Sequence, residues 1–276
     1  MVENGRSNHI VPTPDLRIVP VGSLHPHEEH DSQRSQPLIA RIRTETTMIN
    51  PPLVAPMDGD QFVVLDGANR VYAFSELGYP HVLVQVASYD SGYVELSNWQ
   101  HVVAAWSTDQ FIQHLQRIPE VAVRAGYELN AIARLLLDDE SVVSVCASAT
   151  TLKERNAALC RVVAVYQRNA RLHRTALVDP DSIWPLYPDA NAIVFFPPYL
   201  PADIIAAAEL NAYLPPGISR HIVHGRAIRV NYPLDALSDS DTSLEQKNAD
   251  LLAWMQNKLA NRQVRYYAEA TYQFDE

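Results

Sequence analysis

The 276-residue sequence has only two cysteines, Cys146 and Cys160; both sit in apolar surroundings and do not form a C-x-x-C pair. They read as buried thiols of a cytoplasmic protein. The opening MVENGRSNHIVPTPD lacks an apolar core of signal-peptide length, and no run approaches the roughly 20 apolar residues of a membrane span. Clustered basic residues are also lacking. The 22 Lys+Arg against 32 Asp+Glu leave a formal charge of −10, which opposes binding to polyanionic nucleic acid. No internal repeat and no low-complexity tract is present. These absences predict a soluble protein without membrane or DNA partners, and the length allows one large domain or a small domain with a second lobe.

What is present is a succession of short strands and helices that predicts an α/β (α+β) fold. Residues 1–14 mix Asn, Ser, Pro and charge without periodicity and are expected to be flexible. A first lobe over 15–107 carries strands at Arg17–Val21, Leu53–Pro56, Gln61–Leu65 and His81–Val86, with helices at Leu38–Thr46 and Arg70–Leu77. A second mixed α/β lobe over 108–276 begins with a helix at Asp109–Arg117 and a strand at Ser141–Ala147. A long helix follows at Leu152–Arg174, where Leu159, Val162, Val163 and Tyr166 form a core stripe. A strand at Ala192–Phe196, a helix at Pro201–Ala212, a strand at Arg226–Val230, a helix at Ser243–Asn261 and an edge strand within Tyr266–Phe274 complete the reading.

The junction VVLDGANRVYAF is the most informative segment, because an apolar strand ends in Asp66-Gly67 and a helix begins almost at once. Unpaired N–H groups and a partial positive charge at that helix start would stabilise an anion over Gly67, Ala68, Asn69 and Arg70, with Arg70 as countercharge. Asp66 at the strand end could hold the metal that accompanies a polyphosphate. The alternative is that Asp66 caps the helix and Arg70 forms a surface ion pair.

Two further clusters carry candidate chemistry. HPHEEHD, His25 to Asp31, is the densest group of titratable residues and reads as a divalent-metal loop or a solvated acidic turn; the H-x-x-x-H or C-x-x-C spacing of a zinc site is absent. GISRHIVHGRAIRVN, Gly217 to Asn231, sets Ser219, Arg220, His221, His224, Arg226 and Arg229 among Ile and Val in an otherwise acidic chain. It suits a small anionic ligand, since Arg can bind a carboxylate in a forked pair, or it is an amphipathic strand with a charged outer face. Along a strand Ser219 and His221 would share one face and Arg220 the other.

Taken together, IVPVGSLHPHEE (Ile18–Glu29), Asn50–Val54, Asp66–Arg70, Trp99 and Ser219–His221 resemble the ParB/sulfiredoxin superfamily, and within it the free L-serine kinases of siderophore and cysteine biosynthesis, over about residues 16–235. The resemblance implies a ParB/sulfiredoxin-like, nucleotide-binding N-terminal lobe and Mg2+-dependent phosphoryl transfer from ATP or ADP to the hydroxyl of free L-serine. It implies that Asp66 places the metal, that Gly67–Arg70 hold phosphate, and that a carboxylate of the HEE element faces the hydroxyl, Glu28 first and Glu29 as runner-up. Ser219 and His221 are carried over for amino-acid binding, Arg220 is a local addition, and Trp99 would wall the pocket or serve as core. A carboxylate cannot deprotonate an alcohol beforehand, but it can orient the hydroxyl and accept its proton as the O–P bond forms.

The chain departs from the kinase pattern at Asn69, where the family tends to have histidine; asparagine can donate a hydrogen bond to phosphate but carries no charge. Sulfiredoxin chemistry is excluded, because the loop Asp66–Arg70 contains no thiol to act as nucleophile. A non-catalytic nucleotide-sensing regulator, a ParB-like DNA-binding protein and a nuclease stand as alternatives.

Overall fold

A computed structural model describes residues 13–267, which build two large sheets packed with helices. The first sheet has five strands, β1 (Asp15–Pro20), β2 (Leu24–Pro26), β4 (Leu53–Pro56), β5 (Phe62–Asp66) and β6 (His81–Val86), and the same stretch of chain also forms α1 (Ser32–Ile42), α2 (Ala68–Glu76) and the short strand β3 (Thr47–Met48) outside it. Its order is β1-β6-β4-β5-β2, with β4 parallel to β6 and β2 parallel to β5. Strand alternation divides the apolar residues between two cores. Val54, Phe62 and Val64 face the core of α1 and α2, whereas Leu53, Ala55, Val63 and Leu65 face the second half of the molecule. With both faces covered, these strands read as continuous apolar runs.

The rest of the chain forms β7 (Val94–Asn98), β8 (Gln100–Ala104), α3 (Thr108–Gln116), β9 (Val121–Ala125), β10 (Ala131–Leu137), β11 (Val142–Ala147), α4 (Leu152–Asn169) and β12 (Arg171–Thr175). It continues with α5 (Pro180–Ile183), β13 (Ala190–Phe195), α6 (Pro201–Glu209), β14 (Ser219–Val223), β15 (Tyr232–Pro233), α7 (Leu234–Ser238) and α8 (Leu244–Ala260). Six strands make an antiparallel sheet in the order β12-β8-β13-β10-β11-β9; β14 pairs with β7, and β15 with β3. Phe111 and Leu115 of α3 and Leu159, Val162, Val163 and Tyr166 of α4 are buried in the core that this sheet shares with the first.

The two cores exchange segments. β8, which falls within the 15–107 span, lies inside the six-stranded sheet, and Tyr232, Leu234, Leu237 and Leu251 return to the core of the first. There Asn248 of α8 accepts from the Ile18 N–H (2.9 Å) and donates to the Ile18 carbonyl (2.9 Å), closing the open edge of β1 as a neighbouring strand would.

Several expectations need correction. The helix expected at Leu38–Thr46 starts at Ser32, because Asp31 accepts from the Gln33 N–H and caps it; Pro37 lies within it. The long helix ends at Asn169 rather than Arg174, because its apolar stripe runs out at Tyr166 and Arg171–Thr175 pair with β8. Arg226–Val230 is not a strand. Arg229 and Asn231 have positive φ of 52° and 54°, and the Gln85 and Asn50 side chains bond the Ala227 and Arg229 amides. Pro201–Ala212 ends at Glu209. Cys146 and Cys160 are free thiols but half-buried. The edge strand expected within Tyr266–Phe274 and the segment 1–14 lie almost wholly outside the described residues. Among the described residues no helix is long and apolar enough to cross a membrane.

Candidate active site

Asp66-Gly67 turns the chain from β5 into α2, and the turn requires glycine. Gly67 has φ of 99°, and a Cβ there would stand 3.2 Å from both Cα and Cβ of Pro52. Arg70 and Val71 already donate their amides to the Gly67 carbonyl. No side chain caps the helix, so Asp66 is not its cap, and the amides of the first turn remain for an anion.

Asp66 accepts instead from Arg70 (3.1 Å) and Arg226 (3.2 Å) through one oxygen, Oδ2. Protein packed around the carboxyl opposes its ionisation most strongly, yet the two guanidinium groups together outweigh that burial and hold it below its ordinary 3.8. The side chain nevertheless keeps 54% of its surface open. Arg70 is more than a surface partner: it also donates to the carbonyls of Asn50 (2.6 Å) and Pro51 (3.1 Å), and Arg226 binds Pro51 (2.6 Å) and Gln85 (3.0 Å). The junction is a rigid, charge-compensated floor.

The HEE element stands opposite the turn before β14. Glu28 Oε2 accepts from the Gly217 N–H (2.8 Å), while Oε1 accepts from the Ser219 N–H (2.8 Å) and the Ser219 hydroxyl (2.6 Å). His27, buried, reaches the same hydroxyl through Nε2 (2.6 Å) and the Val64 carbonyl through Nδ1 (2.6 Å). A carbonyl only accepts, so Nδ1 carries hydrogen, and the single Ser219 proton cannot serve both neighbours. The Ser219 hydroxyl thus lies between the His27 ring and the Glu28 carboxylate and ties both to the start of β14.

Glu29 is exposed, and its carboxylate lies beside Cys160, whose thiol is pushed up to about 12 chiefly by burial. The loop is tied to α2 twice: Asn69 Oδ1 accepts from the Asp31 N–H (2.8 Å), and His30 stacks on Tyr72 with ring centroids 3.7 Å apart. Asn69 thus spends its oxygen on the loop and keeps its NH2 group.

Glu28, Glu29, Asp66, Gly67, Ala68, Asn69, Arg70, Trp99 and Ser219 all line one cavity of about 910 Å³. Arg220 and His221 do not; they border an adjoining recess with Leu65, Asp66, Trp99 and Ser219. Alternation along β14 sends Arg220 over the Trp99 ring, 4.9 Å from its centre, while His221 Nε2 accepts from the Tyr89 hydroxyl (2.7 Å). Burial, with His27 adding to it, lowers His221 to about 3, so the ring is neutral. Trp99, half-buried, is a wall of the cavity rather than core.

Sequence reasoning gave no role to His27, Arg226, Arg174 or His101. His27 and Arg226 belong to the two polar clusters, where their density was the signal. Arg174 and His101 had none: His101 is fully buried in β8, donating from Nε2 to the Gly217 carbonyl (3.1 Å) and accepting at Nδ1 from Tyr166 (2.8 Å).

No family model matches the chain. Over 261 residues it is 26% identical to the ATP-dependent L-serine kinase SbnI of Staphylococcus aureus, covering 93% of this chain and 96% of that one. A ParB-like protein of Sulfolobus acidocaldarius is 24% identical over 209 residues, covering 76% and 91%. The solved structure of a free serine kinase in complex with AMP matches with a TM-score of 0.71 at 15% identity, covering 84% of this chain and 98% of that one. That likeness establishes the fold.

Proposed function

We propose that the chain is a free serine kinase of the ParB-like fold, transferring the terminal phosphoryl group of ATP to the hydroxyl of free L-serine and giving O-phospho-L-serine and ADP. The observation that carries this reading is one cavity in which an uncapped helix start, the Asp66 carboxylate and the Glu28 carboxylate all take part. The helix start suits phosphate oxygens, and Glu28 suits an alcohol.

Phosphoryl transfer needs positioning and charge neutralisation more than covalent help from the protein. Amides at Ala68 and Asn69, the free Asn69 NH2 group and Arg70 would hold the phosphates against the floor of α2. The serine hydroxyl would attack phosphorus, its oxygen forming the new O–P bond as the bond to ADP breaks. Its proton would pass to Glu28, where Oε2 accepts one hydrogen bond and retains a lone pair. Glu29, exposed on the same cavity, is the second choice for that base.

Magnesium suits this donor set. Mg2+ is usually held by one or two carboxylates together with phosphates and water, and Asp66 keeps an oxygen, Oδ1, outside its arginine contacts. Asp66 would hold the ion, which would offset the charge of the phosphates.

Incubating the protein with L-serine, Mg2+ and ATP, and separately ADP, while following phosphorus NMR tests the reading. Phosphoserine is expected. Nucleotide binding without phosphoserine would replace it by the nucleotide-sensing alternative.

A further inference from the structure

Among the described residues that line the cavity, Arg174 alone comes from a strand of the six-stranded sheet. Its Nη2 donates to the Pro216 carbonyl (2.8 Å), its Nε is buried without a partner, and no carboxylate among the described residues pairs with it. A partly buried cation without a countercharge is costly unless something anionic meets it.

The neighbourhood is built around this guanidinium. Gly217, at φ of 75°, lies so close that a Cβ there would stand 2.3 Å from Arg174 Cζ. The turn is held on both sides, by Glu28 at the Gly217 N–H and by His101 at the Gly217 carbonyl. Burial lowers His101 to about 4, and the charge of Arg174 adds to that, so the ring contributes no charge of its own.

The groups expected to meet a substrate carboxylate are otherwise committed. The Ser219 hydroxyl serves Glu28 and His27, His221 is neutral and bonded to Tyr89, and Arg220 lies on the Trp99 ring. The phosphate-type end of the cavity belongs to the other sheet, at the start of α2. Glu28 and Arg174 line the same cavity and hold the same 216–217 turn, so a short molecule bearing a hydroxyl and a carboxylate would meet both there. We propose that Arg174 binds the α-carboxylate of the amino-acid substrate and thereby restricts the enzyme to free amino acids. The inference rests on the serine-kinase reading above.

The test compares L-serine with L-serinamide, which keeps the hydroxyl and ammonium but lacks the carboxylate charge, in the unaltered protein, Arg174→Gln and Arg174→Lys. The unaltered protein should favour serine. Arg174→Gln should raise KM for serine roughly 10- to 100-fold, as expected for a charge-assisted forked contact, and collapse that preference while KM for ATP stays unchanged. Arg174→Lys, which keeps charge but loses the fork, should fall between and carries the test if the glutamine variant does not fold. Calorimetric titration with phosphoserine should weaken in the same order. An intact preference for serine in the variants overturns the inference, and so does a rise in KM for ATP instead, which would assign the guanidinium to phosphate. Failure of the unaltered protein to make phosphoserine overturns the kinase reading itself, a separate result.

Discussion

At the scale of single residues, Glu28 anchors the 217–219 turn and is also the proposed proton acceptor. Three hydrogen bonds to the 217–219 backbone and the Ser219 hydroxyl converge on its two oxygens. In Glu28→Gln one oxygen becomes an NH2 group facing a donor, so the change should lower turnover by roughly 10²–10⁴-fold and also cost about 1–3 kcal/mol of stability, read from thermal or denaturant unfolding. Glu29→Gln, on an exposed side chain, should leave stability unaltered. If Glu29→Gln alone stops turnover, the base has been assigned to the wrong neighbour. Asp66→Asn makes the complementary prediction. It removes the proposed metal ligand and frees Arg70 and Arg226 from their shared carboxylate, so turnover should disappear while calorimetry still records nucleotide binding. Turnover near that of the parent would remove Asp66 from the mechanism.

At the scale of elements, the start of α2 is the part most sensitive to a small change. Gly67→Ala forces a side chain into a left-handed conformation and against Pro52 at 3.2 Å. A loss of about 1–3 kcal/mol is expected, together with weaker nucleotide binding, because the amides of that turn move. Helix α4 provides the contrast. Its start is secured by a capping box between Thr151 and Glu154, neither of which lines the cavity. Thr151→Ala should cost about 1 kcal/mol of stability and leave the kinetics unchanged. Comparable kinetic loss in both variants would indicate that nucleotide affinity reports general loosening rather than the geometry of α2.

At the scale of the whole molecule, two neutral histidines lie where segments from both cores meet. Burial lowers His101 to about 4 and His221 to about 3 in the folded chain, against an ordinary 6.5. The unfolded chain binds these protons first. The stability associated with the neutral rings is therefore complete above pH 6.5 and is lost as the pH falls from there toward the folded values. Each ring contributes a slope of up to about 1.4 kcal/mol per pH unit. The melting temperature should fall between pH 6.5 and 4, and His101→Gln should flatten that fall. An unchanged slope would show that His101 is protonated in the folded protein.

How much could be read beforehand varied with the range over which each feature is decided. The junction at Asp66-Gly67, the helix after it and strands such as Leu53–Pro56 and His81–Val86 were legible, because turn chemistry and apolar periodicity act over a few neighbouring residues. The clustering of HEE, Asp66–Arg70 and Ser219 on one cavity followed from resemblance, and no local pattern would have assembled it. Strands such as Gln100–Ala104 were missed because burial on both faces erases alternation, and Arg226–Val230 was misread because side chains of Gln85 and Asn50 replace a neighbouring strand. The sequence by itself determined a charge that opposes nucleic acid, a glycine-dependent turn from strand into helix and a loop of carboxylates. Only the tertiary structure decided that Glu28 holds a distant backbone turn, that Arg226 shares Asp66 with Arg70, and that Arg174 stands against Gly217 without a countercharge. Those are contacts between residues up to 191 positions apart, and the geometry that joins them is fixed by how two sheets pack, which no short stretch of sequence encodes.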